Sequence, residues 1–218
     1  MIRLHLLCEG DTEIAFANIV LRDHLLPLNI HITGLEKTNR TGGFRHFRTV
    51  LDVIKLRLKQ DRNADFRLST MIDFYPPRSD MPGFADAMKL HGSLAQCLAL
   101  EAALKNELND DRFLPNIQLH EFEALLFANP HQIGTTLNVK GKFDQLVNDC
   151  KLCGGPEGVN CGQHSAPSKR IANVVDPFDK PDGALVAADI GLPALRAECP
   201  HFNSWITTLE QPGIALIR

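Results

Sequence analysis

The sequence predicts an α/β protein with a mostly parallel four-stranded sheet and flanking helices, on three observations. Apolar runs of strand length alternate with helical periodicities through residue 128. Three of the four runs stop abruptly at carboxylates. From about Asn129 the pattern changes to short helix-like pieces broken by Pro and Gly, with no convincing strand. The expected organisation is therefore an α/β core over 1–128 and a helical extension over 129–218 packed on it, one domain in all.

The elements follow in order. Residues Ile2 to Leu7 form a short apolar run, and "CEGDTE" interrupts it with Glu9, Asp11 and Glu13. From Thr12, apolar Ile14, Ala17, Val20 and Leu21 recur at helical spacing and stop before Pro27. "NIHITGL" reads as a second strand. Phe44, Phe47, Leu51, Ile54 and Leu58 then trace one face of a helix whose other face carries Lys55, Arg57, Lys59 and Arg62, a solvated basic side. "FRLSTMI" is a third strand ending at Asp73, and "DFYPPRSDMPGF" is a Pro- and Gly-rich loop leading to a helix that ends near Leu108. "FLPNIQLH" is the fourth strand, followed by Glu121 and Glu123.

Composition narrows the class. The chain is 44% hydrophobic and 22% charged, an ordinary globular balance, with a net charge of -3 and an isoelectric point near 6.3. No global basic field draws it to nucleic acid, so such a partner has to be held by a local patch or through metal ions. No run is long enough to cross a bilayer and the first ten residues are too short in apolar content for a secretory signal. A cytoplasmic protein without membrane attachment is expected, its six cysteines reduced or metal-bound rather than paired in disulfides.

In an open parallel sheet the carboxyl ends of all strands share one edge, where ligands bind. Glu9, Asp73, and the pair Glu121 and Glu123 fall on that edge. Gathered carboxylates repel and raise one another's pKa unless a cation sits among them. Hard oxygen ligands without Cys or His suit Mg²⁺ or Mn²⁺, and the matching chemistry is metal-assisted attack of water on a phosphate. Each acid also has a plainer role. Asp11 and Glu13 alone suit a helix dipole or cap, and Asp73 suits the start of a turn. Glu121 and Glu123 share a face only in an extended segment, so once a helix has begun only one of them reaches the site.

"CEGDTE" followed by a strand ending in Asp73 resembles the Toprim signature, and the form E-G-x-T-E resembles its overcoming-lysogenization-defect (OLD) nuclease branch. "MIDFYPP", "QLHEFEALLFANP", "SAPSKRI" and "CPHFNSWITTLE" together resemble the bacterial family catalogued as domain of unknown function 4276, over essentially the whole chain. The resemblance implies a Toprim-like core with Glu9 as the central acid, a metal ligand or general base, Glu13 as the second acid, and Asp73 as the first metal-binding aspartate. Where the signature has a second aspartate this chain has Tyr75, and a phenol does not replace a carboxylate at a metal. Glu121 or Glu123 is left to supply that ligand. Lys169, in "PSKRI", resembles the lysine that OLD-type nucleases set against the scissile phosphate. It and Arg170 stand early in a helix, where a cation opposes the dipole.

"CKLCGGPEGVNCGQH" offers Cys150, Cys153, Cys161 and His164 as C-x-x-C and C-x-x-H, four ligands of types that bind a structural Zn²⁺, though the gap between the pairs is short for a finger or ribbon. His24, His31, His91 and His201 have no evident partner, while His120 stands beside Glu121. Arg40, Arg45, His46 and Arg48, next to Gly42 and Gly43, are candidates for phosphate-backbone contact. Two functions follow. The first is a Mg²⁺-dependent nuclease or related phosphoesterase acting on nucleic acid, DNA ahead of RNA, beside an ATPase in phage defence as the resemblance implies. The second is a non-catalytic regulatory or assembly module that binds such an ATPase, its metal site lost with the aspartate replaced by Tyr75.

Overall fold

A computed structural model of the chain describes residues 1–38, 45–74, 77–160, 166–179 and 181–211. Strand β1 (Ile2–Cys8) leads through Glu9 and Gly10 into α1 (Asp11–Phe16), a π-helical turn (Ala17–Leu21), α2 (Arg22–Leu25) and a 3₁₀ turn (Leu26–Leu28). β2 (Ile30–Lys37) precedes α3 (Phe47–Gln60), so the helix begins later than the apolar pattern from Phe44 suggests, and Phe44 itself lies outside the described residues. β3 (Phe66–Asp73) is followed by the single turn α4 (Phe84–Ala87) and by α5 (Ser93–Leu108). Then come β4 (Phe113–Leu114), β5 (Ile117–Gln118), a 3₁₀ helix (Phe122–Ala128), α6 (Pro130–Leu137), α7 (Phe143–Leu152) and a 3₁₀ turn (Pro156–Gly158). The remaining elements are helical: α8 (Pro167–Ala172), α9 (Asp182–Ile190), α10 (Leu192–Glu198) and α11 (Pro200–Glu210).

All strand pairs are parallel, in the order β2-β1-β3-β4, with β5 also pairing β3. The expected α/β architecture is therefore present, with five strands in place of four. Pro115 splits the fourth run because it has no N–H to give the ladder. Asn116 makes up the loss with side-chain bonds. Its N–H donates to Thr70 Oγ1 at 3.0 Å, Thr70 Oγ1 donates to its carbonyl at 2.7 Å, and its Nδ2 donates to the Thr70 carbonyl at 3.1 Å.

β1 alternates its faces as period two requires. Leu4, Leu6 and Cys8 point into a cluster with Phe16, Leu21 and the later residues Ala184, Leu195, Phe202 and Ile206. Leu7 points the other way, into a cluster with Leu68, Ile72, Phe47, Ile54, Cys97 and Leu104. Both faces are thus covered by helices, the condition under which β3 becomes buried at every position except Asp73. Phe16 meets Phe122 edge-on at 5.4 Å between ring centroids, and truncating it to Ala would cost about 3–5 kcal/mol. Where β1 and β2 shift register, His5 lies over Gly34 so closely that a Cβ there would fall 2.1 Å from its Nδ1. Only glycine fits.

Candidate functional site

The parallel register sets the edge. Cys8 is level with Met71 of β3 and with Lys37 of β2, so the residues that follow emerge side by side. The Glu9 N–H donates to the Met71 carbonyl at 2.8 Å, prolonging the β1–β3 ladder by one bond, and its Oε2 accepts the Asp73 N–H at 2.9 Å. One residue thus supplies both backbone and side-chain partners to the end of β3, which holds the Glu9 carboxylate beside Asp73. On the other side, the Phe74 N–H donates to the Gln118 carbonyl at 2.9 Å and carries the sheet edge across to the segment before Glu121.

The three acids of "CEGDTE" separate into three roles. Asp11, exposed, pairs with Lys37 at 2.9 Å. Glu13, buried, accepts the Gly10 N–H through Oε2 at 2.8 Å, the returning half of a capping box at the start of α1. Glu9 faces Asp73. The Cys8 thiol beneath them is pushed up by burial and by the Glu13 charge, so it is not a nucleophile at neutral pH.

Glu121 ends the extended stretch, and the 3₁₀ helix begins at Phe122. Its Oε2 accepts the Ser168 N–H at 3.0 Å, which ties the first turn of α8, and with it Lys169, to this edge. Glu123 lies inside the 3₁₀ helix and is buried, as is Phe122. His120 adopts a left-handed φ of 66° and is buried, its Nε2 bonded to the Glu157 carbonyl at 3.1 Å and its Nδ1 facing Asn160. Burial pushes its pKa down. It fixes the turn rather than presenting a proton to solvent.

Among the described residues, one group of Cys, His, Asp or Glu brings three ligand atoms within 4.8 Å of one another: Cys97, Glu101 and His201, not the acids of the sheet edge. The expected zinc set does not hold. Cys153 is disulfide-bonded, against the expectation of six reduced or metal-bound cysteines, and a disulfide sulfur has no thiolate to offer a metal. Cys150 is a free, half-buried thiol on α7 that donates to the Phe127 carbonyl at 3.5 Å, and Cys161 and His164 lie outside the described residues. Tyr75, Arg40, Gly42 and Gly43 lie outside them as well.

Several cations take structural partners. Arg170 pairs with Asp149 at 2.6 Å, Arg57 with Glu36 at 2.7 Å and Lys55 with Glu107 at 2.8 Å. His46 and Arg48 line a cavity of about 450 Å³ together with Asp52, Lys55, Asp80 and Glu107, a mixed rather than basic lining. Two histidines without an evident partner in the sequence have one in the fold: His24 bonds Glu210 at 2.7 Å and His201 bonds Glu101 at 3.1 Å. These partners are far apart in the chain, and only Cys97 and Glu101, four apart on one helix, left a signal of shared position.

Fold and site together define an α/β protein with acidic side chains at the carboxyl edge of a parallel sheet. The model of the family described as domain of unknown function (DUF4276) matches residues 8–210, and the chain belongs to that family. No curated protein matches it. Among solved structures it is similar to the C-terminal region of the Burkholderia pseudomallei OLD protein, at 18% identity and a TM-score of 0.43, over 96% of this chain and 98% of that one. It is likewise similar to the C-terminal region of the Xanthomonas campestris pv. campestris OLD protein, at 19% identity and a TM-score of 0.43, over 94% and 96%. No helix among the described residues is long and apolar enough to cross a membrane.

Proposed function

We propose that the chain is a divalent-metal-dependent nuclease or related phosphoesterase acting on nucleic acid phosphodiesters, DNA ahead of RNA. The observation that carries this reading is the Glu9 carboxylate held against the end of β3 by the Asp73 N–H, at the edge where α/β sheets bind ligands. Mg²⁺ or Mn²⁺ suits the donor set. Such ions take hard oxygens and need only one or two carboxylates, keeping water and phosphate for the rest of their shell. Glu9 and Asp73 would hold the ion, with Glu13, Glu121 or Glu123 as further carboxylates. When bound, the ion supplies polarisation of the phosphoryl oxygens and a lowered pKa for water.

The chain's own residues do the rest. If Asp73 holds the ion without it, Glu9, oriented by the Asp73 N–H, is instead the candidate general base, and a base already fixed in position needs no reorganisation at the moment of reaction. Lys169 is the candidate phosphate contact, supported by the Glu121–Ser168 bond that anchors its helix to the same edge. On the sequence resemblance stated above, we assign the same protein an ATPase partner and a role in phage defence.

The test is nicking of supercoiled plasmid and cleavage of single-stranded DNA and RNA with Mg²⁺ or Mn²⁺, comparing the wild type with Glu9→Gln and Asp73→Asn. Cleavage that both substitutions abolish is the expected result. A wild type that binds neither ion and cuts nothing, with an ATPase partner present, sinks the nuclease reading in favour of a non-catalytic assembly module.

A further inference from the structure

We propose that Cys97, Glu101 and His201 form a second metal site, separate from the acids of the sheet edge, that takes a borderline transition-metal ion of the zinc class. Cys97 and Glu101 lie one turn apart on the same face of α5, and His201 is the second residue of α11. Their ligand atoms lie within 4.8 Å of one another. Cys97 and His201 are buried and Glu101 is only 13% exposed at its side chain. A thiolate, a carboxylate and an imidazole together select zinc over the hard ions Mg²⁺ and Ca²⁺.

The spacing is close to what such an ion needs. With ordinary zinc bond lengths and tetrahedral angles, nitrogen and oxygen ligands stand about 3.4 Å apart and sulfur and oxygen about 3.6 Å. Here His201 Nε2 is 3.1 Å from Glu101 Oε1, and Cys97 Sγ is 4.0 Å from the same oxygen. The third separation, Cys97 to His201, is within 4.8 Å, so side-chain movement of up to about an ångström closes the set.

The surroundings are built to hold these ligands. Glu101 Oε1 accepts the Ile117 N–H at 2.7 Å, which orients the carboxylate. The Glu157 carboxylate accepts the N–H groups of His201 and Phe202 at 2.9 and 2.8 Å and so fixes the start of α11. Trp205 pins the same helix to β3 through Ser69 Oγ at 2.9 Å. The other ring nitrogen, His201 Nδ1, is buried and has no hydrogen-bond partner among the described residues, so the ring's polar contact runs through Nε2 toward Glu101. A cavity of about 90 Å³, lined by Glu101, Asn116, His201 and Ser204, adjoins the cluster, leaving room for water at a fourth position. Loading balances simply. The Cys97 thiol, which now donates to the Ile117 carbonyl at 3.1 Å, gives its proton to solvent, as does His201 if its ring carries a second one, and no redox change occurs.

The full chain, stripped with chelator under non-reducing conditions, is titrated with Co²⁺ as a spectroscopic probe and then with Zn²⁺ in competition. One equivalent giving a thiolate-to-cobalt charge-transfer band is expected, displaced by Zn²⁺, retained in Cys150→Ser and in Glu9→Gln, and lost in Cys97→Ser. Glu101→Gln keeps an acceptor for the Ile117 N–H and should weaken binding by at least the roughly 10- to 100-fold that outer-shell changes cost. If Cys97→Ser fails to fold, X-ray absorption on the cobalt-loaded wild type decides the matter: one sulfur with nitrogen and oxygen neighbours is expected. No thiolate band, a band that survives Cys97→Ser, or two or more sulfurs per ion overturns the proposal and leaves the cluster an ion pair locking α11 to α5.

Discussion

The two ends of β1 and β3 treat carboxylates differently. At the amino end, Arg3 reaches Asp61 at 2.6 Å and Asp65 at 2.8 Å, and Arg112 reaches Asp110 at 2.6 Å as well as the carbonyl of Leu58 at 2.9 Å. At the carboxyl end, Glu9, Glu13 and Glu121 each accept a backbone N–H, from Asp73, Gly10 and Ser168. A guanidinium offsets the charge of the acid it holds. A backbone N–H orients an acid without removing its charge, which suits a group that has to meet a cation or a proton. On the proposed function, the amino end serves stability and the carboxyl end, apart from the Asp11–Lys37 pair, serves chemistry.

The comparison breaks most visibly at Glu9. Glu9→Gln keeps an oxygen to accept the Asp73 N–H, so the melting temperature should hold while metal-dependent cleavage falls on the order of 100- to 1000-fold. Equal losses of activity and stability would make Glu9 a structural acid after all. At the opposite end, Arg112→Met should leave cleavage unchanged and lower stability by about 1–3 kcal/mol in denaturant unfolding, since it removes charge-assisted bonds to Asp110 and to two carbonyls.

Glu121 sharpens the contrast. If it serves only to cap α8, Glu121→Gln should cost about 0.5–1 kcal/mol of stability and little activity. A loss of cleavage as large as that of Glu9→Gln would make it a metal ligand instead. The smallest expected effect is in acid. The Arg3 guanidinium lowers Asp61 from its ordinary 3.8 to about 2. A depressed carboxylate contributes stability that is full above its unfolded value and is lost as pH falls through its folded one. The thermal stability of the wild type should therefore decline between pH 4 and pH 2 more steeply than that of Arg3→Ala, measured by melting at each pH. Parallel curves would show that Arg3 and Asp61 do not couple.

The alternation of apolar strands and amphipathic helices is local, and so the α/β class, the carboxyl-edge placement of Glu9 and Asp73, and the helical character of the last third were all legible in the chain. The break of the fourth strand was also written there, in Pro115, but its consequence depended on Thr70 being opposite Asn116. The division of Glu9, Asp11 and Glu13 among a strand end, an ion pair and a helix cap needed the partners Asp73, Lys37 and Gly10, of which only Gly10 is near in sequence. Cys97, Glu101 and His201 show the limit most clearly. Helical periodicity sets two of them on one face, yet His201 arrives from α11, a hundred residues later, because burial of Phe202, Trp205 and Ile206 carries that helix onto the sheet. Residue order and periodicity determined which elements form. Long-range burial of apolar surface decided which side chains meet, since that free energy depends on where distant elements pack and not on their spacing along the chain.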